Sequence, residues 1–336
     1  MTIKPNYKVY ISSVILVAAV FGVITMLINV GILNNYHRGI LIVVCINIIL
    51  AASLNLSAGF LGQLVLGHAA FMAVGAYTSA ILSIRLHAFL ENGIGILGFI
   101  AVLIIGGIAA AIAGIIIGVP ALRLRGDYVA IVTLGFGLIV ENILLNIPIA
   151  GGPEGLFGIP RLRTFNIFFF EISFFAFAFF TMAVVVAMLV ALVRSRHGRA
   201  MISIREDEIA AEASGIPTTY YKILGFTISA FFAGIAGGLF AQRTGIIVPS
   251  EFGFIQSIEF LVIVVLGGMG SFTGAIVAAI VLTLLPELLR QFGDFRMLTY
   301  SVLLVAMMIF RPKGLMGTYE FSLDYIFSRF TGAFKK

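Results

Sequence analysis

The strongest constraint on this chain is a succession of apolar runs of about 20 residues, the length a helix needs to cross the hydrocarbon core of a bilayer. They fall at 9–33, 39–57, 69–86, 94–119, 128–147, 167–193, 223–242, 257–269, 273–289 and 297–311. With no water in that core to pair backbone N–H and C=O groups, such runs must fold as helices. The expected fold is therefore an all-α polytopic membrane protein, a single domain over residues 1–336 with about ten transmembrane helices, some of them broken. Only 11% of the residues are charged, against about 25% in a soluble domain, which excludes two soluble domains of this combined length.

Ten spans place both termini on one side. With the termini in the cytoplasm, fourteen Lys and Arg face inward and seven outward, and the positive-inside bias selects that orientation. The same bias accounts for the net charge of +6 without invoking nucleic acid. The first apolar run is longer than the roughly 7–15 residues of a signal-peptide core, so it reads as a retained span. Cys45 has no second cysteine to pair with. The phenylalanine-rich run Asn166–Phe180 reads as a lipid-facing span start, because aromatic rings favour the interface.

Two glycine clusters interrupt otherwise apolar segments. Gly59, Gly62 and Gly67 flank Gln63 and His68; Gly267, Gly268, Gly270 and Gly274 flank Ser271 and Thr273. Irregular backbone at membrane depth is tolerated only where protein or a water-filled cavity surrounds it. The clusters fall near the third and eighth spans, an odd offset that raises an inverted repeat. The segment 261–280 reads equally as one broken helix or two short ones. By contrast, Gly106, Gly107, Gly114 and Gly118 need only a packing role.

Polar residues within the spans are candidates for a translocation path: Asn47, Asn55, Gln63, His68, Glu141 and Asn142. Alternatives stand beside each. Asn47 and Asn55 lie about two turns apart on one face and either line a path or bond a neighbouring helix. Glu141 and Glu259 lie near span ends, where an interfacial position explains them as well. His68 has no second ligand nearby, so a metal site is not expected. No nucleotide-binding, metalloprotease or hydrolase signature is present; neither enzymatic activity nor a cofactor is expected, and any ATP must be bound by a partner.

One long polar island stands out, Arg194–Lys222, with nine charged residues: Arg194, Arg196, Arg199, Arg205, Glu206, Asp207, Glu208, Glu212 and Lys222. Its segment from Ser203 carries helix formers up to Gly215, followed by Ile216-Pro217, a helix stop. Ile204, Ile209, Ala213 and Ile216 form a modest apolar stripe. Either the helix contacts a cytoplasmic partner or it is a solvated connector between spans.

Within the island, Ile209–Ile216 (IAAEASGI) resembles the coupling motif of ABC-importer permeases, an EAA triplet at fixed distance before a glycine. Aligned on Gly215, the leading glutamate is Ile209, with Glu208 adjacent. The blocks NLSAGFLGQLVLGHAAFMAVGAY, LRLRGDYVAIVTLGFG, GGPEGLFGIP, REDEIAAEASGI and VVLGGMGSFTGAI together resemble the LivM-type permease family of branched-chain amino-acid importers. The resemblance implies an arrangement of about ten spans close to that of vitamin B12-type importers, in the plasma or inner membrane. It implies as partners a similar H-type permease subunit, two cytoplasmic ATP-binding subunits and an extracellular substrate-binding protein. Carried onto this chain, Arg205, Glu206, Asp207, Glu208, Ile209, Glu212 and Gly215 would contact an ATPase, and the loops at Gly151–Pro160 and Pro249–Gly253 would receive the binding protein. Residues 312–336 would form a short cytoplasmic tail. Two other readings stay open: a permease for a sugar, nucleoside or short amide, and an ion-coupled carrier using Glu141 and Glu259.

Overall fold

A computed structural model describes residues 7–31, 33–86, 95–122, 128–160, 164–167, 170–311, 314–317 and 320. Most of the expected tail, and the basic residues Lys4, Arg123, Arg125, Arg161, Arg163, Lys313, Arg329, Lys335 and Lys336, lie outside the described residues. The long helices are α1 (Tyr7–Asn29), α2 (Asn35–Asn55), α3 (His68–Arg85), α4 (Gly95–Ala121), α5 (Tyr128–Asn146) and α6 (Phe174–Arg194). The island follows as two short helices, α7 (Arg196–Glu206) and α8 (Glu208–Ala213). Then come α9 (Thr218–Thr244), α10 (Phe254–Gly267), α11 (Phe272–Leu288) and α12 (Arg296–Phe310).

Among the described residues, seven stretches are long and apolar enough to cross a membrane. They are Asn35–Phe60, Ile96–Ala121, Tyr128–Asn146, Phe174–Arg194, Thr218–Thr244, Pro249–Gly267 and Phe272–Gly293. Helices α1, α3 and α12 occupy the other three expected segments; α12, at 15 residues, falls short in length, and α3, with His68 and Arg85 at its ends, falls short in hydropathy.

The centre of the bundle is α3, α4 and α9, packed at glycine distance. A side chain at Gly75 would overlap the backbone of Gly234, and one at Gly106 would overlap Ser79. Small residues here let backbones meet, which substitutes for the hydrophobic drive that lipid cannot supply. Helix α2 lies against this trio, and its second half is fully buried from Ile48 to Asn55.

The aromatic run departs from its expected course. Thr164–Ile167 and Phe170–Ser173 pair antiparallel as a short hairpin, so α6 begins at Phe174 rather than near residue 167. Its first turns are not lipid-facing either: Phe174, Phe175, Phe177 and Phe179 are buried. Phe177 packs 5.0 Å from Phe99 of α4, and Phe179 lies 5.4 Å from Phe21 of α1. Edge and offset contacts between rings outweigh interfacial preference when neighbouring helices offer rings.

The segment 261–280 resolves into two helices joined by a tight turn, Gly268–Ser271. Helix α11 starts on Ser271, whose hydroxyl accepts from Gly274 N–H, a standard N-cap.

Candidate functional site: the helix breaks and the charged island

Both glycine clusters build reversals of the chain, and the two reversals meet. After α2 the helix widens into a π-turn, Leu56–Phe60, then runs irregularly through residues 61–67 before α3 starts at His68. Such π-segments are rare and concentrate where helices are locally re-aimed. The second reversal is the α10–α11 turn. Asn55, fully buried at the end of α2, joins them: its Nδ2 donates to Ser271 O at 2.9 Å, and its Oδ1 accepts from Gly270 N–H at 2.9 Å. Phe60 and Phe272 stack alongside, 4.7 Å apart.

This meeting corrects the inverted-repeat reading. Helix α2 opposes α11 along its length, with Tyr36 O–H donating to Glu287 at one end and Asn55 bonded to Ser271 at the other. Helix α10 reverses into α11 and therefore runs with α2. The two reversals face the same end and have the same direction. The breaks join α2 to α3 and α10 to α11, so the offset between them is even when counted in expected spans.

The remaining polar candidates fall into separate places. Asn47 donates to Thr283 of α11 at 2.9 Å, so Asn47 and Asn55 both bond the neighbouring helix. His68 is buried with its Nε2 3.0 Å from Ser53 Oγ, between the rings of Phe71 and Phe260. Gln63 lies half-exposed in the first break. Glu141 sits at the opposite end beside Gly253, and Glu259 is exposed with an acceptor bond from Gln256. Asn142 is on the exterior of this chain and donates to Leu138 O of its own helix. The structure thus brings Asn55, Gln63 and His68 to one region and separates Glu141 and Asn142 from it.

The island is hinged rather than continuous. Asp207 leaves the helical region (φ −157°, ψ 108°) and caps α8, its Oδ1 accepting from Ile209 and Ala210 N–H. A side chain that caps the next helix competes with continuation of the previous one, which breaks the single helix expected through this segment. The apolar stripe is divided as well: Ile204 is buried, whereas Ile209 is 71% exposed and Ala213 is exposed. Ala211 turns inward instead. Gly215 adopts φ +82° and ends the segment, the left-handed stop that glycine provides without strain.

Two polar contacts that hold the island in place were not legible beforehand. Lys222 Nζ meets Glu208 Oε2 at 2.7 Å, with the lysine 2% exposed and the glutamate 28%. The pair fastens α8 to the base of α9, which runs 27 residues, about 40 Å, to the opposite end. Arg205 Nη1 donates to Gly59 O at 2.5 Å, placing the end of α7 on the first break. Only their charge within a compact island hinted at either.

At the far end of α9 the two expected outer loops are joined. Leu156 and Ile247 exchange backbone bonds of 2.9 and 3.2 Å, and Tyr77 O–H donates to Ile247 O. The 3-10 turn Pro249–Phe252 follows directly. These loops form one surface.

The family model described as "Branched-chain amino acid transport system / permease component" matches residues 36–311. The chain belongs to this family. It is similar to the high-affinity branched-chain amino acid transport system permease protein LivM of Escherichia coli (strain K12), with 44% identity over 296 residues, covering 81% of this chain and 68% of the relative. The LivM protein of Salmonella typhimurium is 43% identical over the same shares. The permease protein LivH of Escherichia coli (strain K12) is 30% identical over 138 residues, 40% of this chain and 44% of the relative. No solved structure matches. The LivM-like resemblance read from the sequence blocks is thereby established, and the chain is a multi-pass membrane permease component.

Proposed function

We propose that this chain is the membrane subunit of an ABC importer that carries leucine, isoleucine, valine or related hydrophobic amino acids into the cytoplasm. Ten spans, with both termini cytoplasmic and an arrangement of the vitamin B12 importer type, fit the positions of the apolar helices and the excess of basic residues at the island end. The complex would contain an H-type permease subunit, two ATP-binding subunits at the island and a substrate-binding protein over the joined loops at Leu156 and Ile247.

The observation that carries the reading is the outward face of α8. Ile209, Ala210, Glu212 and Ala213 are exposed on a helix whose inner side is fixed by Lys222 and Ala211. An apolar residue ringed by charge, held on a rigid base, suits seating in a partner's groove: the apolar contact gives affinity and the charges set register. ATP binding in the partners would move α8, and the bundle would follow through Lys222 and Arg205. Of the candidate path residues, Gln63 has the best access to a path, while Asn47, Asn55 and His68 are already engaged in helix contacts.

Purification of the intact complex from membranes tests the proposal. ATP-binding subunits should accompany the chain, and a binding protein from the same system should retain a branched-chain amino acid. A chain that purifies with no ATP-binding subunit, while still transporting, would refute it.

A further inference from the structure

The position of Arg205 has a consequence beyond attachment of the island. Its guanidinium donates to Gly59 O in the first break and lies against Gly270 in the second: a Cβ at Gly270 would stand 2.6 Å from Nη1. Its aliphatic stem crosses Gly62, where a Cβ would be 3.0 Å from Cγ. Gly62 and Gly270 have φ values of +74° and +89°, so both turns are shaped to let one side chain through. The two breaks are already joined beneath it by Asn55. Arg205 also stands at the last turn of α7, immediately before the Asp207 hinge and α8. A displacement of α8 therefore reaches Arg205 with little chain in between.

We propose that Arg205 is a positioning residue that clamps the two helix breaks together and holds the island end of the bundle closed until α8 is pulled. The inference rests on the proposed importer function. Arginine suits the task because its planar fork keeps one N–H on a carbonyl while the rest spans the adjoining backbone; a lysine ammonium is a single point. Release would free Gly59 O and leave Asn55 as the polar link between the breaks, loosening the buried π-turn around Ser57, which is 1% exposed when closed. Opening there is available because 61–67 carries no regular backbone ladder to be broken.

The test uses the full complex in liposomes, with Cys45→Ala to remove the native thiol and Ser57→Cys as reporter. A membrane-impermeant maleimide on the island side should label Ser57→Cys slowly at rest and faster during ATP turnover. With Arg205→Ala, labelling at rest should rise by about ten-fold or more, the factor expected for loss of one charge-assisted hydrogen bond. It should also lose its dependence on ATP, and amino acid imported per ATP hydrolysed should fall. Arg205→Lys should lie between the two, and it decides the question if the alanine variant fails to assemble. Labelling that ignores ATP while Arg205 is present, or variants that keep both the ATP dependence and normal coupling, would overturn the clamp. Absence of any ATP-driven import by the unaltered complex would instead refute the importer function, so the two failures are distinct.

Discussion

The Glu208–Lys222 pair offers the most quantitative prediction. Lys222 is 2% exposed and its ammonium has Glu208 Oε2 at 2.7 Å, so removing the carboxylate strands a positive charge inside the bundle. Breaking a fully buried pair costs about 3–5 kcal/mol; with Glu208 28% exposed, water can enter part of the site, and about 2–3 kcal/mol is expected for Glu208→Ala. Glu208→Gln keeps an acceptor oxygen and should cost about 1–2 kcal/mol. Lys222→Met removes the charge along with the need for a partner while filling nearly the same space, so it should cost less than about 1 kcal/mol. Denaturant titration of the purified chain in detergent, followed by fluorescence of a label, measures the order. The double variant Glu208→Ala, Lys222→Met should recover most of the loss. If Lys222→Met is as damaging as Glu208→Ala, or if all three are silent, the pair does not hold α8 as described.

Other consequences follow from the same geometry. Ile209→Asp and Glu212→Lys alter exposed positions on α8, so stability should change by less than about 0.5 kcal/mol while ATP hydrolysis stimulated by loaded binding protein is lost; a stimulation assay on the reconstituted complex checks this. Asn55→Leu leaves Gly270 N–H and Ser271 O without their partner and should destabilise the purified chain by about 1–3 kcal/mol, whereas half-buried Asn47→Leu should cost clearly less, as read by the same titration. Gly234→Leu pushes α9 away from the Gly75 backbone and should abolish recovery of folded protein, measured as the monodisperse fraction after solubilisation.

The sequence made the apolar helices legible because hydropathy over about 20 residues reports directly on a uniform environment. It also located both breaks, since clustered Gly with Gln, His and Ser has no other use in a span. Their relation was read wrongly because the offset was counted from the nearest spans, while the glycines belong to the turns between spans. Within the island, the stop at Gly215 was visible, but the hinge at Asp207 was hidden among acidic residues that look alike in composition. Only a side chain that reaches Ile209 and Ala210 N–H distinguishes a cap from a solvated charge. The aromatic start of α6 was misplaced for a related reason: interfacial preference is a property of the residue, whereas packing on Phe21 and Phe99 depends on where α1 and α4 lie. Long-range partners such as Arg205 with Gly59 leave no periodic trace in one sequence.

Uptake of radiolabelled leucine into proteoliposomes tests the central claim most directly. The account predicts uptake only when this chain is present with its partner permease, the ATP-binding subunits, loaded binding protein and ATP, and loss of that uptake with Glu212→Lys. Uptake by liposomes holding this chain alone, driven by an ion gradient and indifferent to ATP, would contradict it.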